Sequence, residues 1–60
     1  MNNKIKIYRN PLLDSEVVGE INDLTEIIID EAESNNFFYK VCTVFGVEGF
    51  CLKRLITDKY

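Results

Sequence analysis

The chain has 60 residues and a net charge of −3, with seven Lys and Arg, ten Asp and Glu, and no histidine. This length predicts one domain, residues 1–60, with room for a small core but little room for an elaborate active site. The hydrophobic content of 47% is typical of a folded globule. No apolar run approaches the roughly 20 residues that span a bilayer, so we expect no membrane partner.

The charges are unevenly distributed, because no Lys or Arg stands between Arg9 and Lys40. Solvated loops would explain this acidic interval, and so would an acidic surface that attracts cationic partners. Both interpretations disfavour nucleic acid, since phosphate binding uses basic surfaces. Without histidine no Ser-His or Cys-His pair can be assembled, and two cysteines alone leave a zinc ion short of ligands. We therefore predict no enzyme, no metal and no cofactor.

The first predicted strand, residues 4–9, alternates between apolar and polar side chains. Ile5 and Ile7 share one face, and Tyr8 lies on the other. The strand ends before Pro11, because proline lacks the N–H donor that a strand ladder needs.

Residues 11–16 form a loop, and a second short strand is predicted at residues 17–21. Gly19 indicates a bulge or a close backbone approach within that strand. Asn22-Asp23 is typical of a turn. The third strand, residues 25–30, is rich in β-branched side chains, which favour strands.

A helix over residues 20–33 is the alternative to this third strand, but three consecutive isoleucines fit a helix poorly. Residues 31–36 are a polar loop. Residues 37–52 then form a hairpin of strands four and five around Gly46. Residues 53–55 are too short for a helix and suit a single 3₁₀ turn.

Cys42 and Cys51 flank the hairpin turn and invite a disulfide. Strand alternation places Cys51 on the core side with Val41 and points Cys42 outward, which keeps the sulfurs apart. A register slip of one residue would allow the bridge but would turn the apolar set outward. We therefore expect two free thiols.

These elements predict an all-β fold, a small five-stranded barrel with a short 3₁₀ turn before the last strand. Ile28 should point outward, either as a lone exposed side chain or, with Val44 or Phe45, as part of a patch that makes a homodimer. The inward positions of the strands and the closing turn supply the expected core: Ile5, Ile7, Val18, Ile21, Ile27, Ile29, Val41, Cys51 and Ile56.

Five segments stand in a characteristic order: residues 7–11, 17–21, 24–29, 38–41 and 49–56. Together they resemble the bacterial SH3 (SH3b) family over nearly the whole chain, in which these segments read v-R-x-x-P, v-i-G-x-l, G-T-x-V-x-V, W-Y-K-V and G-W-V-x-x-x-Y-L. The resemblance implies an SH3-like barrel. It also implies a non-catalytic targeting module that binds cell-wall peptide or peptidoglycan.

Departures from the family concern the aromatic positions. Phe38 and Phe50 stand where the family has tryptophan, and Leu55 replaces a tyrosine of the closing turn. Phenylalanine keeps the apolar area but loses the indole N–H, which disfavours a conventional proline-binding groove.

The resemblance also suggests a ligand site, a shallow aromatic groove beside an acidic loop. The alternative is that the two phenylalanines complete the small core. The candidate ligand-binding residues are Tyr8, Asp14, Glu16, Phe38, Tyr39 and Phe50.

A second function remains open, an intracellular protein–protein interaction module that self-associates or joins a larger assembly. The expected cellular location depends on the extent of the gene product. It is cytoplasmic if these 60 residues are the whole gene product, and cell-surface or secreted if they are an excised module.

Overall fold

The computed structural model describes residues 4–22 and 25–57. In this part of the chain five antiparallel strands form one sheet in the order β2-β1-β5-β4-β3, which confirms the all-β prediction. The sheet is compatible with a small SH3-like barrel but is not closed, so β2 and β3 are its edges. The elements are β1 (Ile5–Tyr8), β2 (Val17–Ile21), β3 (Ile27–Asp30), a 3₁₀ helix (Glu31–Glu33), β4 (Phe38–Thr43), β5 (Glu48–Leu52) and α1 (Lys53–Thr57).

The helical turns differ from the prediction. The loop expected at residues 31–36 begins with a 3₁₀ helix, whose first turn is capped where the Asp30 carboxylate accepts a hydrogen bond from the Ala32 N–H at 3.1 Å. Residues 53–55, expected as a 3₁₀ turn, belong to α1. The Lys53 N–H at its start donates to the Phe37 carbonyl at 2.8 Å. The 3₁₀ turn thus precedes β4, and an α-helical turn follows β5.

The turn predicted at Asn22-Asp23 lies between β2 and β3. The Asn22 N–H donates to the Thr25 hydroxyl at 3.0 Å, and the Thr25 N–H donates to the Asn22 carbonyl at 3.1 Å. Asp23 and Leu24, the first residue of the third family-like segment, lie outside the described residues. These two hydrogen bonds lie in the connection between β2 and β3, which are at opposite edges of the sheet.

The strand phase predicted for the core is confirmed. Ile28 is 71% exposed, while its neighbours Ile27 and Ile29 pack against the buried cluster. Ile27, Ile29 and Val18 are only partly buried, so three of the nine predicted core residues are more exposed than expected. Full burial of one valine or isoleucine side chain contributes about 1.5–3 kcal/mol to the free energy of unfolding. The fully formed cluster consists of Ile5, Ile7, Ile21, Val41, Cys51 and Ile56.

Two buried side chains lie outside the predicted core, Thr43 and Phe38, and the burial of Phe38 agrees with the alternative that it completes the core. Thr43 is a buried polar group whose hydroxyl oxygen accepts hydrogen bonds from the N–H groups of Phe45 and Val47, each at 3.2 Å. Its carbonyl accepts from the Gly46 N–H at 3.0 Å, and Gly46 has a positive φ of 90°. Thr43 and Gly46 therefore define the β4–β5 turn, since only glycine adopts that φ without steric cost.

The bulge expected near Gly19 is present in the β1–β2 pair. Ile7 pairs with Gly19 and Tyr8 pairs with Val17, so Val18 is the extra residue. The irregularity increases the local twist of β2 and leaves Val18 out of the ladder.

β1 and β5 are joined through one registered pair, Tyr8 with Phe50. Beside this pair a Cβ at position 49 would lie 2.5 Å from both the Ile7 Cγ2 and the Tyr8 carbonyl oxygen. Real Cβ atoms do not approach a backbone oxygen so closely. The absence of a side chain at Gly49 is therefore what lets the two hairpins meet.

We predict that Gly49→Ala destabilises the domain by roughly 2–4 kcal/mol, because the backbone of Tyr8 would have to move. Urea unfolding followed by circular dichroism measures this loss. Gly46→Ala is the control: nothing lies near its new Cβ, and only the positive φ should cost about 1 kcal/mol. Equal losses in the two variants would contradict the steric explanation.

Candidate functional site

The outward-facing side chains of four strands form a continuous surface, here called the outer face. Tyr8 pairs with Phe50, Phe50 with Lys40, and Lys40 with Asp30. These pairs run across β1, β5, β4 and β3 in one row, and directly paired residues present their side chains on the same side of a sheet. The row therefore places two aromatic rings, an ammonium group and a carboxylate side by side.

Three of the predicted aromatic residues come together on the outer face and are called the aromatic patch: Tyr8, Phe38 and Phe50. The rings of Tyr8 and Phe38 have centroids 6.2 Å apart and an interplanar angle of 86°, an edge-to-face contact. Phe38 is only 5% exposed, whereas Tyr8 and Phe50 are half-buried. Phe38 is thus the floor of the patch, and the other two rings are accessible.

The polar loop before β4 holds Phe38 in place. The Asn35 side-chain oxygen accepts hydrogen bonds from the N–H groups of Phe37 at 2.8 Å and Phe38 at 2.7 Å. The Asn35 N–H also donates to the Phe38 carbonyl at 2.9 Å. This local pattern is a common use of asparagine in turns, and it fixes the start of β4 beneath Tyr8.

Tyr39, the fourth predicted aromatic residue, lies on the other side of the sheet. It pairs with the buried Cys51 and packs against the core cluster. The Lys53 ammonium lies 5.0 Å from the centroid of its ring, a cation–π contact. The structure therefore separates Tyr39 from the aromatic patch.

The two predicted acidic residues lie in the loop between β1 and β2. Glu16 accepts a hydrogen bond from the Arg9 guanidinium at 2.9 Å, and its carbonyl accepts from the Arg9 N–H at 2.8 Å. Both side chains are more than half exposed, so this ion pair contributes little stability. The ion pair does balance the negative charge of Glu16 with the positive charge of Arg9. Asp14 is exposed, farther out in the same loop.

Sequence reasoning missed the polar half of the outer face. A shallow cavity of about 160 Å³ adjoins the patch there, and Lys40 links the two. Its ammonium lies 5.5 Å from the centroid of the Phe50 ring and 4.0 Å from the Glu48 carboxylate. Strand alternation was the available signal, since it places residues 38, 40 and 42 on one face. The cavity is lined by Ile28, Asp30, Lys40, Val41, Cys42 and Glu48.

The two cysteines are free, as predicted, with Cys42 half-buried and Cys51 buried. Burial raises the pKa of the Cys51 thiol from 9.0 to about 11. A thiol with a raised pKa is neutral near pH 7 and is a poor nucleophile. Cys51 is therefore buried in the core and its thiol is a poor nucleophile near pH 7.

In residues 4–22 and 25–57, no group of three or more His, Cys, Asp or Glu side chains is arranged to hold a metal ion. Neither helix in that part of the chain is long and apolar enough to cross a membrane. Comparisons with protein-family models, with curated proteins and with solved structures found no significant match.

We predict that the stability of the wild type falls between about pH 9 and pH 11, because the folded state holds the Cys51 proton more tightly than the unfolded chain does. The stabilisation is complete below pH 9 and is lost as the pH rises through the folded value of about 11. Each unit of that shift corresponds to about 1.4 kcal/mol.

Cys51→Val is the matched control, because it keeps every tyrosine and lysine that titrates in the same range. Urea unfolding of both proteins across this pH window gives the comparison. The two stability curves should diverge as the pH rises, with the wild type losing more. Parallel curves would contradict the assignment.

Proposed function

We propose that this chain is a non-catalytic binding module whose outer face accepts a peptide, with cell-wall peptide as the ligand class. The aromatic patch is the observation that supports it most. The Tyr8 ring packs edge-to-face on the buried Phe38 ring, and Phe50 is the cross-strand partner of Tyr8, which gives a preformed apolar anchor. The resemblance to bacterial SH3 domains supports the choice of cell-wall peptide.

The charges beside the patch indicate what the peptide should carry. Asp14 is exposed in the adjoining loop, and Asp30 and Glu48 line the neighbouring cavity. Exposed ring faces attract cations as well. Lys40 already occupies the face of Phe50, so an amine-bearing ligand would displace its ammonium toward Glu48. A peptide with apolar side chains and an amine therefore fits this surface.

A titration of ¹⁵N-labelled protein with a cationic wall peptide, followed by NMR, tests the proposal. We expect shifts at Tyr8, Lys40 and Phe50. Tyr8→Ala should weaken binding roughly fivefold to tenfold, because a ring contact contributes about 1–1.5 kcal/mol. Asp14→Asn should weaken it about twofold, and added salt should act in the same direction.

Phe45→Ala is the control for loss of an aromatic ring, since Phe45 is 85% exposed at the β4–β5 turn, outside the patch. It should bind the peptide as the wild type does. Shifts confined to other surfaces, or none at millimolar peptide, would contradict the proposal.

Exposed aliphatic and aromatic side chains support a second candidate, an intracellular interaction module that self-associates. Ile28 is 71% exposed, and it pairs with Cys42, directly before the strand end and the turn residues Val44 and Phe45. These two are 62% and 85% exposed. Apolar side chains grouped at one end of a sheet favour association between copies.

We predict that Ile28→Lys lowers the apparent mass in sedimentation velocity, because a charge at that position opposes burial in a dimer. Wild type and variant are compared at matched concentration. Leu13→Lys is the control, since Leu13 is also an exposed apolar residue but lies in the loop between β1 and β2. Identical monomers for all three proteins would exclude this candidate.

A further inference from the structure

The two edges of the sheet differ in how well they are protected. β2 contains the bulge at Val18, and bulges are a common device against edge-to-edge pairing. Its flanking carboxylates are also paired, Glu20 with Lys4 at 4.0 Å and Glu16 with Arg9 at 2.9 Å. β3 is regular over its whole length and contains no glycine or proline. β3 is therefore the accessible edge.

Hydrogen bonds around β4 show which backbone groups of β3 face outward. The Thr43 N–H donates to the Val47 carbonyl on the β5 side, and alternation then directs the N–H groups of Lys40 and Cys42 toward β3. The Lys40 N–H indeed donates to the Ser34 hydroxyl, directly beyond β3, at 2.9 Å. The backbone N–H and C=O groups of Ile28, the partner of Cys42, therefore point toward β4.

By the same alternation, Ile27 and Ile29 direct their N–H and C=O groups to the open edge. In the described part of the chain, none of the backbone hydrogen bonds outside the strand ladders involves these two residues. Their side chains remain only partly buried although they lie on the core side. A sixth strand on this edge would pair the backbone groups and complete the burial of both side chains.

Charge indicates which strand fits there. Glu26 precedes β3 and Glu31 and Glu33 follow it, all three exposed, and the ion pairs found in the described residues include none of them. Asp30 ends the strand. A second copy paired antiparallel in the register centred on Ile28 would set Ile27 against Ile29 and Glu26 against Asp30 of the other copy, where like charges repel. A partner with lysine or arginine around a β-prone segment avoids this repulsion.

We infer that the β3 edge is a second binding site, separate from the aromatic patch, which takes an extended basic peptide segment as an added antiparallel strand. Main-chain hydrogen bonds to Ile27 and Ile29 supply the pairing, and the flanking glutamates select for basic residues. This inference does not depend on the function proposed for the patch.

The probe is a blocked synthetic peptide in which valine and threonine alternate between two lysines at each end. A second peptide with glutamate in place of every lysine is its control. Amide hydrogen exchange of ¹⁵N-labelled protein measures strand addition directly. With the lysine peptide, exchange at Ile27 and Ile29 should slow by about tenfold or more, because these N–H groups gain partners. The N–H of Ile28, which already faces β4, should be unaffected.

Charge variants separate the edge from the rest of the molecule. The double variant Glu26→Lys/Glu31→Lys should weaken binding of the lysine peptide by about tenfold at low salt and should favour the glutamate peptide. Glu20→Lys, a charge reversal at an exposed position of the opposite edge strand β2, should leave binding at the β3 edge unchanged.

Four results would overturn the inference. The first is slowed exchange that depends on protein concentration without peptide, which would make the occupant a second copy. The second is loss of binding in Glu20→Lys, which would place the peptide on the β2 edge. The third is equal binding of both peptides, which would remove the charge selection. The fourth is unchanged exchange at Ile27 and Ile29 when the lysine peptide is in excess.

Discussion

The contact between β1 and β5 is the constraint on which the rest of the structure depends. Two hairpin-like halves, β1–β2 and β3–β4–β5, share a sheet through the pair Tyr8–Phe50. The approach requires Gly49, whose missing side chain leaves space for the backbone of Tyr8. The same contact brings Tyr8 from one half over Phe38 from the other, so the junction of the fold is also the centre of the aromatic patch.

Much of the architecture follows from short-range patterns in the sequence. Alternation in residues 4–9 and the β-branched run before Asp30 predict strands in the positions observed, and β2 is found at the predicted residues. The phase of β3 is also correct, with Ile28 outward. These features depend on period-two burial, which a single strand expresses by itself.

Features that need several strands at once were not predictable in the same way. Phe38 is buried on the outer face because Tyr8, distant in sequence, covers it. Lys40 joins the site because cross-strand register places it beside Phe50. Local patterns contain no information about register between distant strands, although alternation alone separates Tyr39 from its neighbours.

The single β1–β5 pair also has a consequence for how the chain folds. β1–β2 and β4–β5 are hairpins between consecutive strands, and such local contacts form quickly with little loss of chain entropy. Pairing Tyr8 with Phe50 instead closes a loop that contains most of the molecule. Docking of two preformed hairpins is therefore expected to be the slow step. The surface completed in that step, the aromatic patch, would be the last part of the domain to form.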